Sequence, residues 1–410
     1  MGKALMVARP GAVLASGDEF NLFGYSSDTT TESRAQVSCT EDAVFSKLGT
    51  NIISGGSGTN NFQFRDAGAD GSQLATRAGT GLAEDATNSD TLSAGDLFNI
   101  AYTDTGTNST CAWHKMNVEF ASGHGNFHGS ASYNFVIHDE PSSTRFIGYS
   151  GHLIADAEVT EANVSFKNRA YTSQEALQVS VAQNARVNDS IFRNRINSGN
   201  GTAVITFGAG VTGLIVDDAL GDALADGDLI NASITLDTGV QDLNVTFVVG
   251  TFKSTNEKSE IWCESSGGLS RSASSTANYL AIGGYIFNDF QASEADAQIK
   301  PGFAAVVSGL RCYLEANTYT GDGTLKLYQN GSAVMTTTIT AAGGAAWYEN
   351  TVNTITIDDD DVLSFEFDEG TTGSITINMV GITFAPVAVG GLSIPIAAYH
   401  YNHHLGSMAS

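Results

Sequence analysis

A glutamate six residues ahead of a lysine recurs three times in this chain: Glu41 before Lys47, Glu161 before Lys167 and Glu294 before Lys300, each glutamate following a hydroxyl residue, Thr40, Thr160 or Ser293. A paired acid and amine could carry proton transfer. One enzyme has no need of the same pair in three tandem copies, however, so a structural role at a strand start is the better expectation. An aspartate recurs in the same way, Asp96, Asp228 and Asp361, each just before an alternating apolar run. Calcium would accept such carboxylates, but an aspartate at that place is expected to bond nearby backbone N–H groups and shape a turn. The run Asp358 to Asp361 is the best cation candidate, though it lacks EF-hand spacing and reads as a solvated acidic turn. His400, His403 and His404 could take a transition metal if several chains brought their tails together. Trp113, Trp262, Trp347, Tyr319 and Tyr348 are the residues able to stack on sugar rings. Trp113 falls in an inward or interface strand, which leaves Trp262 and Trp347, placed in linker or loop, as possible glycan contacts. No G-x-S-x-G, H-E-x-x-H, paired C-x-x-C or phosphate-cradling glycine loop is present. No catalytic residue, cofactor or metal is therefore expected, and chelation of divalent cations is expected to leave the fold intact.

The elements that position these residues follow a repeat. Phe120, Phe252 and Phe384 each end an alternating run and are separated by 132 residues both times. A fixed period of that kind marks one structural unit written three times. Ahead of each phenylalanine comes a glycine-bearing turn (Ala78 to Gly81, Gly208 to Gly213, Ala341 to Gly344), then acidic residues, then the aspartate step. Leu177, Val179 and Val181 match Leu310, Cys312 and Leu314 with the period of a half-buried strand. Glu41 to Asp96 spans 55 residues where Glu161 to Asp228 and Glu294 to Asp361 each span 67, so the first copy is expected to be short by one strand or long hairpin. Leu214 to Ala225 has some helical spacing, but Gly221 and its aspartates favour a loop. The expected fold is all-β: three tandem antiparallel β-sandwich, jelly-roll-like domains of roughly eight strands each. The divisions are an N-terminal arm (1–18), a shortened first sandwich (19–125), a connecting strand and second sandwich (126–255), a linker (256–277), a third sandwich (278–386) and a C-terminal tail (387–410).

The chain has 410 residues, with 19 Lys plus Arg against 44 Asp plus Glu, a net charge of −25. A charge of that sign repels phosphate backbones and anionic bilayers, which argues against nucleic-acid and membrane partners. The apolar stretch Ala4 to Val7 is cut by Arg9-Pro10, so no secretory signal is expected and synthesis belongs to a cytoplasm. The four cysteines are then expected as free thiols, with Cys111 and Cys312 standing where the second copy has Leu243 and Val179.

A strand such as LQVSV or LRCYLEA, a partner such as SIFRNRINSGNG or LKLYQNGS, an AGxTG turn, a GD step and a last alternating strand closing on phenylalanine together resemble the tandem jelly-roll modules of tailed-phage virion proteins. Such modules occur in head decorations, fibres and tail attachment proteins, often as trimers. The resemblance covers most of residues 20 to 385, and the first copy departs from it by lacking the Asn-Gly of the partner strand. It implies a structural protein of the virion surface that self-associates, with a trimer favoured, beside other virion proteins and host-surface glycans. The alternative from a different class is a carbohydrate-binding adhesin or polysaccharide depolymerase.

Overall fold

The computed structural model describes residues 3–10, 14–26, 30–54, 58–106, 108–137, 144–151, 153, 159–219, 221–236, 241–273, 278–286, 293–368 and 372–387. The fold is all-β, in three jelly rolls. In the second, eight longer strands follow in chain order: His124–Ile137, Thr144–Ile147, Ser173–Asn184, Ser190–Ile196, Gly199–Phe207, Gly213–Asp217, Leu229–Leu236 and Leu243–Ser254, with the two-residue strands Phe166–Lys167 and Asp222–Ala223 adding one to each sheet. Strands one, eight, three and six form one sheet, and strands two, seven, four and five form the other. The first and third domains repeat that order, beginning at Ala4–Pro10 and Ser259–Ser272. Short strands with a regular in–out alternation make this possible. Gly323–Gln329 is representative, with Leu325 and Leu327 buried and Lys326 and Tyr328 half-buried on the other face. Among the described residues the helices are single turns, α1 (Glu32–Ala35), α2 (Glu161–Val164) and α3 (Glu294–Ala297), one between the second and third long strands of each domain's order. No described helix is long and apolar enough to cross a membrane.

Phe120, Phe252 and Phe384 are buried, one in the core of each domain. Phe252 meets Phe166, Tyr149 and Tyr171 with ring centroids 5.3 to 5.5 Å apart. Four divisions drawn from the sequence need correction. Residues 4–10 are no arm: Ala4–Pro10 lies antiparallel to Thr110–Phe120 inside the first sandwich, because Leu5 and Val7 on one face and Ala4 and Met6 on the other all have apolar surface to meet. The linker at 256–277 is chiefly the leading strand of the third sandwich, Ser259–Ser272, paired along Ser374–Pro386. Its two glycines and many serines hide it, since the register shifts between Glu264 and Leu269 rather than breaking. The first sandwich has all eight strands and is not shortened. Its helix-bearing anchor begins at Glu32, so Glu32 to Asp96 spans 64 residues against 67 in the other copies. Lastly, Leu214 to Ala225 is neither helix nor open loop, holding the strands Gly213–Asp217 and Asp222–Ala223.

The domains form a closed cycle. The core of the first takes in Phe127, Ala131, Phe247 and Val249 of the second. The core of the second takes in Trp262 and Met379 of the third. The core of the third takes in Leu5, Val7, Ala112 and Trp113 of the first. Three seams of one head-to-tail kind thus close within a single chain, the arrangement that a threefold ring of identical subunits would otherwise supply.

Candidate functional site

Buried or half-buried polar groups bridge each of these three seams. Each seam sets the segment after a one-turn helix against the large sheet of the next domain, at the equivalent positions Ser38, Lys167 and Lys300. Between the first and second domains, Ser38 N donates to Gln178 Oε1 at 3.0 Å and Gln178 Nε2 donates back to Ser38 O at 2.8 Å. Thr40 and Thr251 hydroxyls meet at 3.1 Å, and Lys253 pairs with Glu41 at 3.0 Å. Between the second and third, Glu349 receives both Lys167 (2.7 Å) and Arg169 (2.6 Å). Behind them Glu260 and Arg311 form a fully buried pair at 2.6 Å. The Arg311 guanidinium lies 4.1 Å from the Trp262 ring centroid, and Trp262 Nε1 and Arg169 N both donate to the Glu260 carboxylate. Burial pushes the Glu260 carboxyl up, and Arg311 opposes that shift. Between the third and first, the buried Lys115 Nζ donates to Lys300 O at 2.6 Å and pairs with Glu84 at 2.5 Å. At the meeting point of the three leading strands, Asn126 Nδ2 donates to Leu5 O and to Glu260 O, so one side chain touches all three domains.

A second buried acid stands alone. Glu264 is fully enclosed at the seam of the second and third domains, with Ser150 N and Oγ at 3.1 and 3.4 Å and, among the described residues, no partner for Oε1. A Cβ on residue 148 would sit 1.8 Å from that oxygen, so any side chain there would displace the Glu264 carboxyl. Burial raises the Glu264 carboxyl to about 8. His114 and His128 are buried and held down to about 3 for the same reason; His128 Nε2 faces the Tyr171 hydroxyl at 2.7 Å.

The residues singled out from sequence fall as follows. The glutamate and lysine of each copy do not pair with one another. Glu161 binds Arg195 at 2.9 Å and its counterpart in the first domain is Glu32, which binds Arg65 at 3.0 Å; Glu41 and Lys47 lie nine residues beyond the true equivalents Glu32 and Ser38. In the third domain Tyr328 replaces that arginine and Glu294 faces Ser364 Oγ at 3.2 Å instead. The three aspartates act alike: Asp96 accepts from Ser93 N, Asp228 from Ala225 N and Asp361 from Asp358 N, each at 2.7 Å. Asp360 binds Lys300 at 2.6 Å. Trp262 is not an exposed glycan contact: it is 1% exposed, packed in the second core. Trp347 is half-buried on the same seam, edge-on to Trp262 at 6.0 Å, with Lys167 Nζ 5.9 Å from its ring. All four cysteines are free and buried. His400, His403 and His404 lie outside the described residues. Among the described residues no three His, Cys, Asp or Glu side chains gather as a metal site.

Sequence reading missed Arg311, Lys115, Asn126 and Glu264. Arg311 shows why no local signal reveals them. In LRCYLEA the apolar positions Leu310, Cys312 and Leu314 face the domain's own core, and a strand whose opposite face carries Arg311 looks solvated until a neighbouring domain covers it.

No protein-family model matches the chain, and no curated protein matches it. Among solved structures, one described as "The Triple Jelly Roll Fold and Turret Assembly in an Archaeal Virus" is 12% identical, covering 92% of each chain, with a TM-score of 0.19. A Paenibacillus xanthan lyase is 8% identical over 94% of this chain and 51% of its own, with a TM-score of 0.19. An infectious bursal disease virus structure, Gt strain, is 9% identical over 94% and 78%, with a TM-score of 0.21. Superposition at that level carries no argument about this chain's function.

Proposed function

We propose that this chain is a structural building block of a virion surface, a decoration, fibre or tail component that self-associates. The observation that carries the reading is the closed cycle of three sandwiches. Buried charged groups paired within one domain also reach across a seam, Lys115 to Lys300 O and the Glu260 carboxylate to Arg169 N, and the bond from Asn126 to two other domains fixes their common centre. A buried ion pair adds little net stability but is strongly destabilising when one partner is lost, which suits a unit that must keep one shape. The high negative charge keeps such a unit soluble before assembly. Its partners in this reading are further copies of itself, with a trimer expected, and other virion proteins; host-surface glycan contact belongs to the same role.

Mass photometry of the purified chain, together with imaging of particles from a culture that produces it, tests the proposal. Closed homo-oligomers and density for the three-sandwich unit on the particle exterior are expected. A monomer at micromolar concentration and absence from purified particles would overturn it.

A further inference from the structure

Equivalent positions on the three seams differ in what they leave available. Thr40, Arg169 and Gly302 correspond, as do Ala94, Asp226 and Asp359. On the first seam the place is closed by the Thr40 to Thr251 contact and the Glu41 to Lys253 pair beside it. On the third it is lined by Phe303, Ala304 and Ala305 together with the charged Lys3, Glu257 and Asp359. The seam of the second and third domains opens into a polar cleft of about 350 Å³, within the size range of small-molecule sites. Arg169, Asn256, Lys258, Ser308 and Thr351 line it, with Asp226 at the edge. Among the described residues the side chains of Asn256, Lys258, Ser308 and Thr351 make no hydrogen bond or ion pair within the protein. Arg169 is anchored by Glu349 through Nη2, while Nη1 holds only Asp226, whose side chain is 72% exposed. Such an exposed pair contributes little and is readily exchanged for another carboxylate.

We infer that this cleft is a binding site for an acidic sugar, a pyranose bearing one carboxylate, a role additional to assembly. A carboxylate between Arg169 Nη1 and Lys258 Nζ would gain two charge-assisted bonds. The hydroxyls of Ser308 and Thr351 and the amide of Asn256 add neutral donors and acceptors, which suit ring hydroxyls and which a bare anion would not use in full. Two cations with one displaceable carboxylate favour an anion locally, and the chain's overall negative charge is screened beyond about 10 Å at 0.1 M salt.

The test is saturation-transfer NMR on the full chain at 0.15 M salt, with methyl glucuronide, methyl glucoside and sulfate as probes. The glucuronide is expected to bind, the glucoside to bind about tenfold more weakly or worse for want of the charge-assisted bonds, and sulfate to compete poorly. Because Lys258 and Ser308 hold nothing else in the protein, the double variant Lys258→Ala with Ser308→Ala is expected to keep the wild-type melting temperature and lose about tenfold or more in glucuronide affinity. Equal binding of glucoside and glucuronide, equal binding of sulfate, no binding of any probe, or unchanged affinity in the double variant would each overturn the assignment. None of these outcomes bears on whether the chain assembles.

Discussion

Phe252 shows how far a single residue could be read in advance. Its period with Phe120 and Phe384 marked it as a core position, and the ring is fully buried among Phe166, Tyr149 and Tyr171. Phe252→Ala is expected to cost roughly 3 to 5 kcal/mol, the range for truncating a large buried side chain, measured as the change in urea-unfolding midpoint at unchanged slope. A change under about 1 kcal/mol would mean that the core refills the space. Trp262 marks the opposite limit. Its neighbours in sequence, Glu260, Glu264 and the Gly267-Gly268 pair, are what a linker looks like, and only the approach of a second domain turns those glutamates into buried groups. Local hydropathy reports the face a strand turns to its own sheet partner. It is blind to burial supplied by a domain more than a hundred residues away, and for that reason Arg311 and Lys115 were invisible.

Among the elements, the turns were the most legible and the strand-to-strand spacing of the first copy the least. Asp96, Asp228 and Asp361 bond the backbone three residues back because that geometry is local and needs no tertiary partner. The first anchor was misplaced because Thr40-Glu41 and Lys47 imitate the spacing found in the other copies, while the true anchor at Glu32 has Ser38 where they have lysine. The leading strand Ala4–Pro10 was missed for want of a matching motif in its counterparts, which are twice as long. Deleting Met1 to Gly17 removes the strand between Thr110–Phe120 and Gly24–Ser26, and with it Leu5 and Val7 from the third core. Limited proteolysis of the truncated chain is expected to cut first within residues 19–120, well before the second domain. Resistance equal to that of the full chain would show the strand to be dispensable.

At the scale of the whole molecule, the seams tie stability to pH in a direction opposite to that of a simple acidic protein. Glu264, raised to about 8 from an ordinary value of 4.5, holds a proton in the folded chain that it releases on unfolding, so its contribution is full below 4.5 and is lost as pH rises through 8. Glu19, raised to about 7, acts in the same sense, though its partial exposure weakens it. His114 and His128, lowered to about 3 from 6.5, act oppositely: their contribution is full above 6.5 and is lost as pH falls toward 3. Each such group changes stability by about 1.4 kcal/mol per pH unit within its window. Between 4.5 and 6.5 the two histidines are opposed by Glu264, Glu19 and Glu260, below 4.5 the histidines act alone, and above 6.5 the glutamates act with no histidine against them. Calorimetric melting temperatures are therefore expected to change little between pH 4.5 and 6.5 and to fall on both sides. The alkaline fall should begin at the seam of the second and third domains, since ionised Glu264 has only Ser150 to meet it and Gly148 pressed against Oε1. Glu264→Gln keeps the shape and the Ser150 contacts but cannot ionise, so it should flatten the limb from pH 6.5 to 8 and leave the acid limb in place. A melting temperature that climbs steadily from pH 5 to 8.5, or an alkaline limb unchanged in the variant, would show that the carboxyl finds water or a cation when it ionises and that the seam opens there at little cost.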